Sequence, residues 1–402
     1  MSSLGIYIHI PYCLQRCTYC DFATFVHTEV RPPEDYVALL KKEIAARSSF
    51  FQPQILKTIY FGGGTPSLIP AHLIVELILE LAKFGYTTGP QTEITIEINP
   101  ATVDEKKLEI YLAAGVNRFS VGAQSFSNRL LKMVHREHNA QQTKDTLALL
   151  RKYNLNFSFD LLFALPTQTL SELQQDIDIA IELGSKHISP YCLTVPEGHP
   201  LSKNRPLEDD QITMFNMIHS SLTKAGFNRY EISNYAQANF ESKHNLLYWT
   251  DEEYWGLGLS AHSYKKSSFL EQNDNPWGAR FWNLSNFELY AAQIESLPPF
   301  TTQNVWPEKQ IEYLLRHQAL TDFCHTSLRL TAGLSDDAVL RKFPANAASS
   351  QISGLAAVQS IAQPLVQSGV LAQKNGHYLL TEHGLLVSNQ VFEKFTFLAE
   401  DL

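Results

Sequence analysis

Over roughly the first 235 residues, short runs rich in β-branched and aromatic residues alternate with longer amphipathic stretches. IYIHI, KTIYF, TEITIEIN, VNRFSVG, FSFDLLF and HISPYCLTV read as strands. Between them the spacing of apolar positions predicts helices near 34–48, 70–84, 104–114, 139–153, 170–184 and 208–225. Six strand-then-helix repeats imply a parallel sheet with right-handed crossovers. Order alone fits both an open doubly wound sheet and a barrel.

The residues at the strand ends favour the barrel. The first strand runs into a cysteine cluster and the second into GGGTPS, Gly62 to Ser67. Glu97 sits at the end of the third, and Gln124 lies just past the fourth. The fifth carries Asp160 and the sixth ends near Cys192. Strand ends that converge on one face with chemically special residues are the arrangement of barrel enzymes. Six units rather than eight predict an α/β fold with an incomplete (β/α)6 barrel, open on one side.

Beyond about residue 235 the pattern changes. Residues 236–303 are dense in aromatics and glycine, as in KHNLLYWTDEEYWGLGLSAHSY, and read as an extension of the 1–235 barrel. Residues 304–402 read as helices closed by a hairpin and a helix, a small α+β, winged-helix-like domain. PANAASSQISG, near 344–354, is the expected flexible loop.

Composition adds exclusions. At 44% hydrophobic and 18% charged, the chain is ordinary for a globular protein of 402 residues. No apolar run reaches membrane-span length. MSSLGIYIHIP lacks a basic start and an apolar stretch of signal-peptide length, so a cytoplasmic location is expected. A net charge of −9 argues against a nucleic-acid partner, which usually meets a basic stripe.

Cys13, Cys17 and Cys20 fall within the eight residues CLQRCTYC, and the rest of the chain has only Cys192 and Cys324. An odd count at uneven spacing argues against a disulfide framework. In a reducing compartment, clustered thiols are more often metal ligands or catalysts. Structural zinc wants four ligands, usually as two separated pairs, and no second pair exists here. Three thiolates on one loop suit a cubane iron–sulfur cluster with one iron left without a protein ligand, an open metal position. A zinc site completed by a distant residue and three buried thiols in a turn are the alternatives. His9, alternating with apolar positions, is expected to pack or bond within the barrel.

CLQRCTYC followed by GGGTPS resembles the radical S-adenosylmethionine (SAM) superfamily. The resemblance implies that Cys13, Cys17 and Cys20 ligate a [4Fe–4S] cluster whose fourth iron chelates the amino and carboxylate groups of SAM. One electron from the cluster would then break the sulfonium C–S bond, chemistry that belongs to the cofactors. Gly63, Gly64 and Thr65 would hold the SAM ammonium through backbone carbonyls and the hydroxyl, since glycines admit close approach. Glu97, Gln124, Arg136 and Asp160 resemble SAM contacts in the coproporphyrinogen-oxidase branch. Arg136 can fork onto the SAM carboxylate. Glu97 or Asp160 can accept hydrogen bonds, and Gln124 can both donate and accept. Tyr7 matches the aromatic of that branch's Y-x-H-I-P-x-C opening, and Tyr19 is the aromatic expected beside adenine. Cys192 matches a cofactor-lining backbone position, with an inert thiol.

That branch holds oxygen-independent coproporphyrinogen III oxidases, which decarboxylate two propionates, and heme chaperones. Three features resemble the chaperones. Position 22 is Phe, where the oxidase pattern has a further cysteine; only six residues precede Tyr7; and HNLLYW, His244 to Trp249, matches the chaperones' H-N-x-x-Y-W. A neutral imidazole is a good axial ligand for heme iron, and Tyr248 and Trp249 would press on the porphyrin face. His244 is the first candidate ligand, with His9 and His262 in reserve. The resemblance implies a heme chaperone with a SAM-binding [4Fe–4S] cluster. It would hand heme to apo-hemoproteins, respiratory-chain proteins among them, without coproporphyrinogen oxidase activity. The decarboxylase is the alternative. A monomer and a cluster-dependent homodimer both stay open, as does peripheral membrane association.

Overall fold

A computed structural model describes residues 3–266, 277–298, 306–345 and 353–401. Most of the loop expected near 344–354 lies outside the described residues. The first strand is β1 (Leu4–Ile10), followed by the two-residue pair β2 (Tyr12–Cys13) and β3 (Phe25–Val26). Then come β4 (Thr58–Gly63), β5 (Glu93–Ile98), β6 (Arg118–Gln124), β7 (Asn156–Phe163) and β8 (His187–Cys192). The helices between and after them are α1 (Pro33–Arg47), α2 (Ala71–Lys83), α3 (Glu105–Ala113), α4 (Asn128–Met133), α5 (Ala140–Lys152), α6 (Leu170–Glu182) and α7 (Glu208–Lys224). All six strands and six helices expected from the pattern are present; the short α4, between β6 and α5, is an addition. α5 and α6 begin at capping boxes on Asn139 and Thr169, whose side chains satisfy N-terminal amides that would otherwise be orphaned.

β1, β4, β5, β6, β7 and β8 pair in parallel in that order. Beyond this arc come β9 (Asn228–Arg229) and β10 (Tyr235–Ala236), antiparallel at the β8 edge. After helix α8 (Lys243–Trp249), β11 (Glu253–Leu257) pairs with β1 in parallel. The aromatic-rich stretch therefore supplies a seventh parallel strand. Continuing outward, β12 (His262–Lys265), β13 (Ala279–Trp282) and β14 (Ile311–Tyr313) add antiparallel strands. Among the described residues the sheet has twelve strands.

Side chains alternate across this sheet with a period of two. One set, including Ile8, Phe61, Ile96, Phe119, Phe159 and Ile188, is buried against the helices in the main apolar core. The other set, including Tyr60, Glu97, Arg118, Ser120, Asp160, His187 and Ser189, faces a cavity inside the arc. Parallel strands buried on both faces normally read as continuous hydrophobic runs. Here the lumen side is polar instead of packed.

The extension is fixed to the barrel by a buried charge. On α1, Glu43 accepts hydrogen bonds from the Gly258 amide at 2.9 Å, Asn283 Nδ2 at 2.7 Å and the Tyr290 hydroxyl at 2.7 Å, and it pairs with Arg47. Such a pair is tolerated in the interior because neighbours satisfy its remaining lone pairs.

After α9 (Phe287–Ser296) come α10 (Arg316–Arg329), β15 (Leu334–Ser335), α11 (Asp336–Lys342), α12 (Gly354–Gln367), β16 (Leu371–Lys374) and β17 (His377–Leu380), then α13 (Glu382–Leu386) and α14 (Ser388–Lys394). The three short strands form their own sheet, ordered β15-β17-β16. Together with α10, α11 and α12 they surround a separate core that contains Leu320, Val339, Phe343, Val358 and Tyr378. This is the winged-helix-like arrangement expected. Cys324 is fully buried in that core, far in kind from a ligand position.

Candidate cofactor site and the aromatic cavity beside it

The loop after β1 brings the three N-terminal thiols to the mouth of the arc. Its backbone is pinned at both ends: the Phe25 amide donates to Pro11 O at 2.8 Å, and the His27 amide to Cys13 O at 2.9 Å. His199 holds its middle through Thr18 O at 2.9 Å. Cys13, Cys17 and Cys20 are partly buried, and all three line one cavity of about 450 Å³. Burial pushes the Cys13 thiol up to about 11 and raises Cys20, with neighbouring sulfurs adding to both shifts. Thiols crowded in this way need positive charge before they can ionise together.

The glycine run at the end of β4 is set by close approach to this loop. The Gly64 amide donates to Ile10 O and the Thr65 amide to Tyr12 O, each at 2.8 Å. A side chain at Gly64 would meet Tyr12 O at 2.6 Å. Gly63 has φ +111°, and a Cβ there would sit 2.5 Å from the His9 ring. Only glycine fits both places.

Four polar side chains complete the lining. Glu97 Oε1 accepts from the Tyr60 hydroxyl at 2.8 Å, and Oε2 from the Gly63 amide at 3.1 Å. Burial nevertheless pushes its carboxyl up to about 7. Asp160 is pushed up to about 6 by burial, against a hydrogen bond from Ser189 and the cations Arg118 and Arg136. Arg136 donates to Gly122 O at 2.6 Å and Asn99 Oδ1 at 3.0 Å, and lies 3.5 Å from Cys17 Sγ; its Nε is buried without a partner. Gln124 has φ +63°, left-handed for a residue other than glycine, at a register shift in β6. Strain of this kind persists where the surroundings impose it. Here Asp176 anchors the next two residues, accepting from Ser125 Oγ and the Phe126 amide at 2.7 Å each.

Tyr19 and Cys192 line the same cavity. Tyr19 also packs against the apolar cluster of Leu130, Val134, Leu162 and Leu193. The Cys192 thiol is 3.8 Å from both Arg205 and Gln211. Tyr7 and His244 are the two expected site residues that do not line this cavity. They line a second one of about 480 Å³, with His9, Tyr248, Tyr254 and His262. Tyr7 faces Tyr60 at 6.1 Å, and its hydroxyl bonds His9 Nδ1 at 3.0 Å. Both nitrogens of His244 are engaged, Nδ1 by Thr58 Oγ1 at 2.7 Å and Nε2 by the Tyr248 hydroxyl at 2.9 Å. Burial lowers its pKa to about 3, so the ring is neutral. Trp249 lies outside this cavity, with Arg329 stacked over its ring at 4.5 Å; a helical repeat of 3.6 carries it off the face that presents His244 and Tyr248.

Residues 7–180 match the family model described as the Radical SAM superfamily. A Bacillus subtilis protein named heme chaperone HemW is 31% identical over 399 residues, which cover 97% of this chain and 98% of that protein. The chain belongs to the HemW family. A Haemophilus influenzae protein of the same name is 40% identical over 271 residues, 65% of this chain and 70% of its own length. Among solved structures, coproporphyrinogen III oxidase (HemN) from Escherichia coli superposes with a TM-score of 0.78 at 20% identity, covering 98% of this chain and 90% of that one. At that identity the likeness shows a common fold.

The residues present fit the cofactors of the superfamily. Among the described residues, no three His, Cys, Asp or Glu side chains gather around a single metal ion. A cubane presents separate irons, so its thiolates need not converge on one point. Glu97 and Asp160 keep raised pKa values in spite of the arginines nearby, and Arg136 Nε is buried without a partner. SAM carries an ammonium, a sulfonium and a carboxylate, the complementary set.

Sequence reading missed several lining residues: Asn99, Arg118, Ser120, His187, Ser189 and Asn245. A signal was available for most of them. In RFSVGAQ and HISPYC the polar residues fall on alternate positions of strands that the crossover pattern places inside a parallel sheet. Polar residues there have nowhere to point except a lumen. Asn245 had no such signal, because it arrives from α8 on the far side of the sheet order.

Proposed function

We propose that this protein is a cytoplasmic heme chaperone. It uses a SAM-binding [4Fe–4S] centre, holds heme in the aromatic cavity and passes it to apo-hemoproteins. One observation carries the reading: the cysteine-lined cavity and the aromatic cavity share a wall made of Phe22, Tyr60, Gly63, Glu97 and Asn245. The Tyr60–Glu97 hydrogen bond lies in that shared wall. The relatives' name, heme chaperone HemW, supports the cargo. Among the described residues no helix is long and apolar enough to cross a membrane.

In this reading Cys13, Cys17 and Cys20 hold the cluster. Arg136 faces the carboxylate of SAM, and Gly63, Gly64 and Thr65 face its ammonium. Glu97 and Asp160 accept hydrogen bonds from its cationic or hydroxyl groups, Gln124 bridges between them, and Tyr19 covers adenine. Cys192 is a wall residue. Tyr7 and His244 belong to the heme side, as a neutral aromatic wall. When bound, the cluster and SAM would supply one-electron cleavage of a sulfonium bond. The residues themselves orient the cofactor and exclude water from it. Residues 1–235 carry the cofactor site, 236–303 close the heme side, and 304–402 form a surface for recipients.

Hemin titration of the anaerobically reconstituted protein tests the proposal. Saturable one-to-one binding is expected, followed by transfer to an added apo-hemoprotein. Absence of saturable binding overturns it. Catalytic formation of protoporphyrinogen from coproporphyrinogen, SAM and a reductant would establish the oxidase instead.

A further inference from the structure

Three histidines line the aromatic cavity, and their surroundings differ. His9 is buried with Nδ1 on the Tyr7 hydroxyl at 3.0 Å and Nε2 on Ala23 O at 2.9 Å. His244 is buried with both nitrogens engaged by Thr58 and Tyr248. Its backbone is held as well, the amide donating to Glu93 Oε1 at 3.1 Å. To offer iron a lone pair, either ring would have to give up one of these hydrogen bonds, each worth about 0.5–1.5 kcal/mol net.

His262 stands apart. It is the first residue of β12, its side chain is exposed, and among the described residues no hydrogen bond reaches either ring nitrogen. Its backbone is rigid. It pairs in register with Trp282 on β13, and a Cβ added at Gly256 would come within 2.1 Å of His262 O, so the strands are in close contact there. The Trp282 ring lies beside the imidazole, 6.3 Å between centroids and tilted by 27°. The fixed strand and the neighbouring Trp282 ring limit the freedom of the imidazole, and among the described residues no hydrogen bond has to be broken before it meets a metal ion.

Other donors in the cavity are less suited. The hydroxyls of Tyr7, Tyr60 and Tyr248 are spoken for by His9, Glu97 and His244. Tyr254 is raised above the ordinary phenol value by burial, which disfavours the phenolate that ligates ferric iron. Phe22, 64% exposed at the shared wall, offers an apolar face to a porphyrin.

We propose that His262 is the axial ligand of the heme iron, and that His9 and His244 are hydrogen-bonded wall residues that never meet the metal. The assignment rests on the heme-chaperone reading above. Hemin titrations of the full-length, cluster-reconstituted wild type, His262→Ala and His244→Ala test it, read by absorption and electron paramagnetic resonance. Loss of even an outer-shell partner costs about 10–100-fold in metal affinity, so loss of the ligand is expected to weaken hemin binding by at least about tenfold. His262→Ala should also lose the histidine-ligated signature, and added imidazole should restore it. His244→Ala should keep that signature. A His262→Ala protein with the wild-type spectrum and affinity sinks the assignment alone. So does loss of the signature only in His244→Ala with the cluster iron intact. A wild type that binds no hemin sinks the chaperone reading and the assignment with it.

Discussion

The two cavities share a wall and differ in how their polar groups are satisfied. In the aromatic cavity the tyrosines and two of the histidines answer one another: Tyr7 with His9, Tyr248 with His244, Tyr60 with Glu97. In the cysteine cavity the charges are only partly answered. Glu97 and Asp160 sit at raised pKa values, and Arg136 keeps an unpartnered nitrogen. A closed network stiffens a wall. An open one is costly until a ligand completes it. The contrast teaches where a ligand is to be sought: at the partly answered charges of the cysteine cavity, and at His262, the imidazole of the aromatic cavity that no hydrogen bond reaches among the described residues.

The comparison can be broken most decisively at the thiols. Replacing any one of Cys13, Cys17 or Cys20 with Ala should abolish cluster assembly, measured as iron and sulfide per chain after anaerobic reconstitution, while far-UV dichroism stays unchanged. A variant that retains full iron would mean that the cavity does not hold a cluster.

The next effect is steric. Gly63→Ala forces a side chain into left-handed backbone and against His9, which is common to the aromatic wall. Strain of about 1–3 kcal/mol with a similar overpacking term predicts a loss of about 2–6 kcal/mol in urea unfolding. Unchanged stability would show that the two cavities are not rigidly joined at this glycine.

Arg136→Met should weaken SAM by about 1.5–3 kcal/mol in calorimetry, the range for hydrogen bonds to charged groups, and leave hemin affinity unchanged. Equal losses on both ligands would merge the two sites into one.

The carboxylates give a pH test. Glu97 has a folded pKa of about 7 against an ordinary value of 4.5, so between these values the folded chain binds more protons than the unfolded one. Stability of the cofactor-free protein should therefore fall as pH rises from about 5 to about 7.5. Glu97→Gln should flatten that fall in urea midpoints, and saturating SAM should oppose it by supplying positive charge. A slope that is identical in the variant would place the titration elsewhere. The smallest effect belongs to the closed network: Tyr248→Phe removes one bond to His244 and should cost about 1 kcal/mol, with hemin binding retained.

Much of this was legible from residue order. The six strands and six connecting helices fall where the periodicity put them, and Cys13, Cys17, Cys20, Gly63–Thr65, Glu97, Gln124, Arg136 and Asp160 do meet in one cavity. Most were readable because they sit at the end of a strand, or shortly past it, and parallel strands bring such ends to one face; Asp160, within β7, and Arg136, beyond α4, came from the family resemblance. Arg118 and His187 were overlooked because they lie at strand starts, where the lumen is deep and the convergence rule is silent. The placement of Tyr7 and His244 differed for a related reason. Their partners, Tyr60, Thr58 and Tyr248, are remote in the chain, and no spacing rule encodes a hydrogen bond across 186 positions such as that from Thr58 to His244.

Local chemistry by itself determined the elements, their parallel sense and the set of thiols and strand-end residues, because turn, strand and helix preferences act over a few neighbours. Only the tertiary structure decided that EYWGL pairs with β1 to extend the arc, and which imidazoles of the aromatic cavity are already bonded. Those outcomes depend on pairings between distant segments, and the free energy of such pairings is not written in any single stretch of the chain.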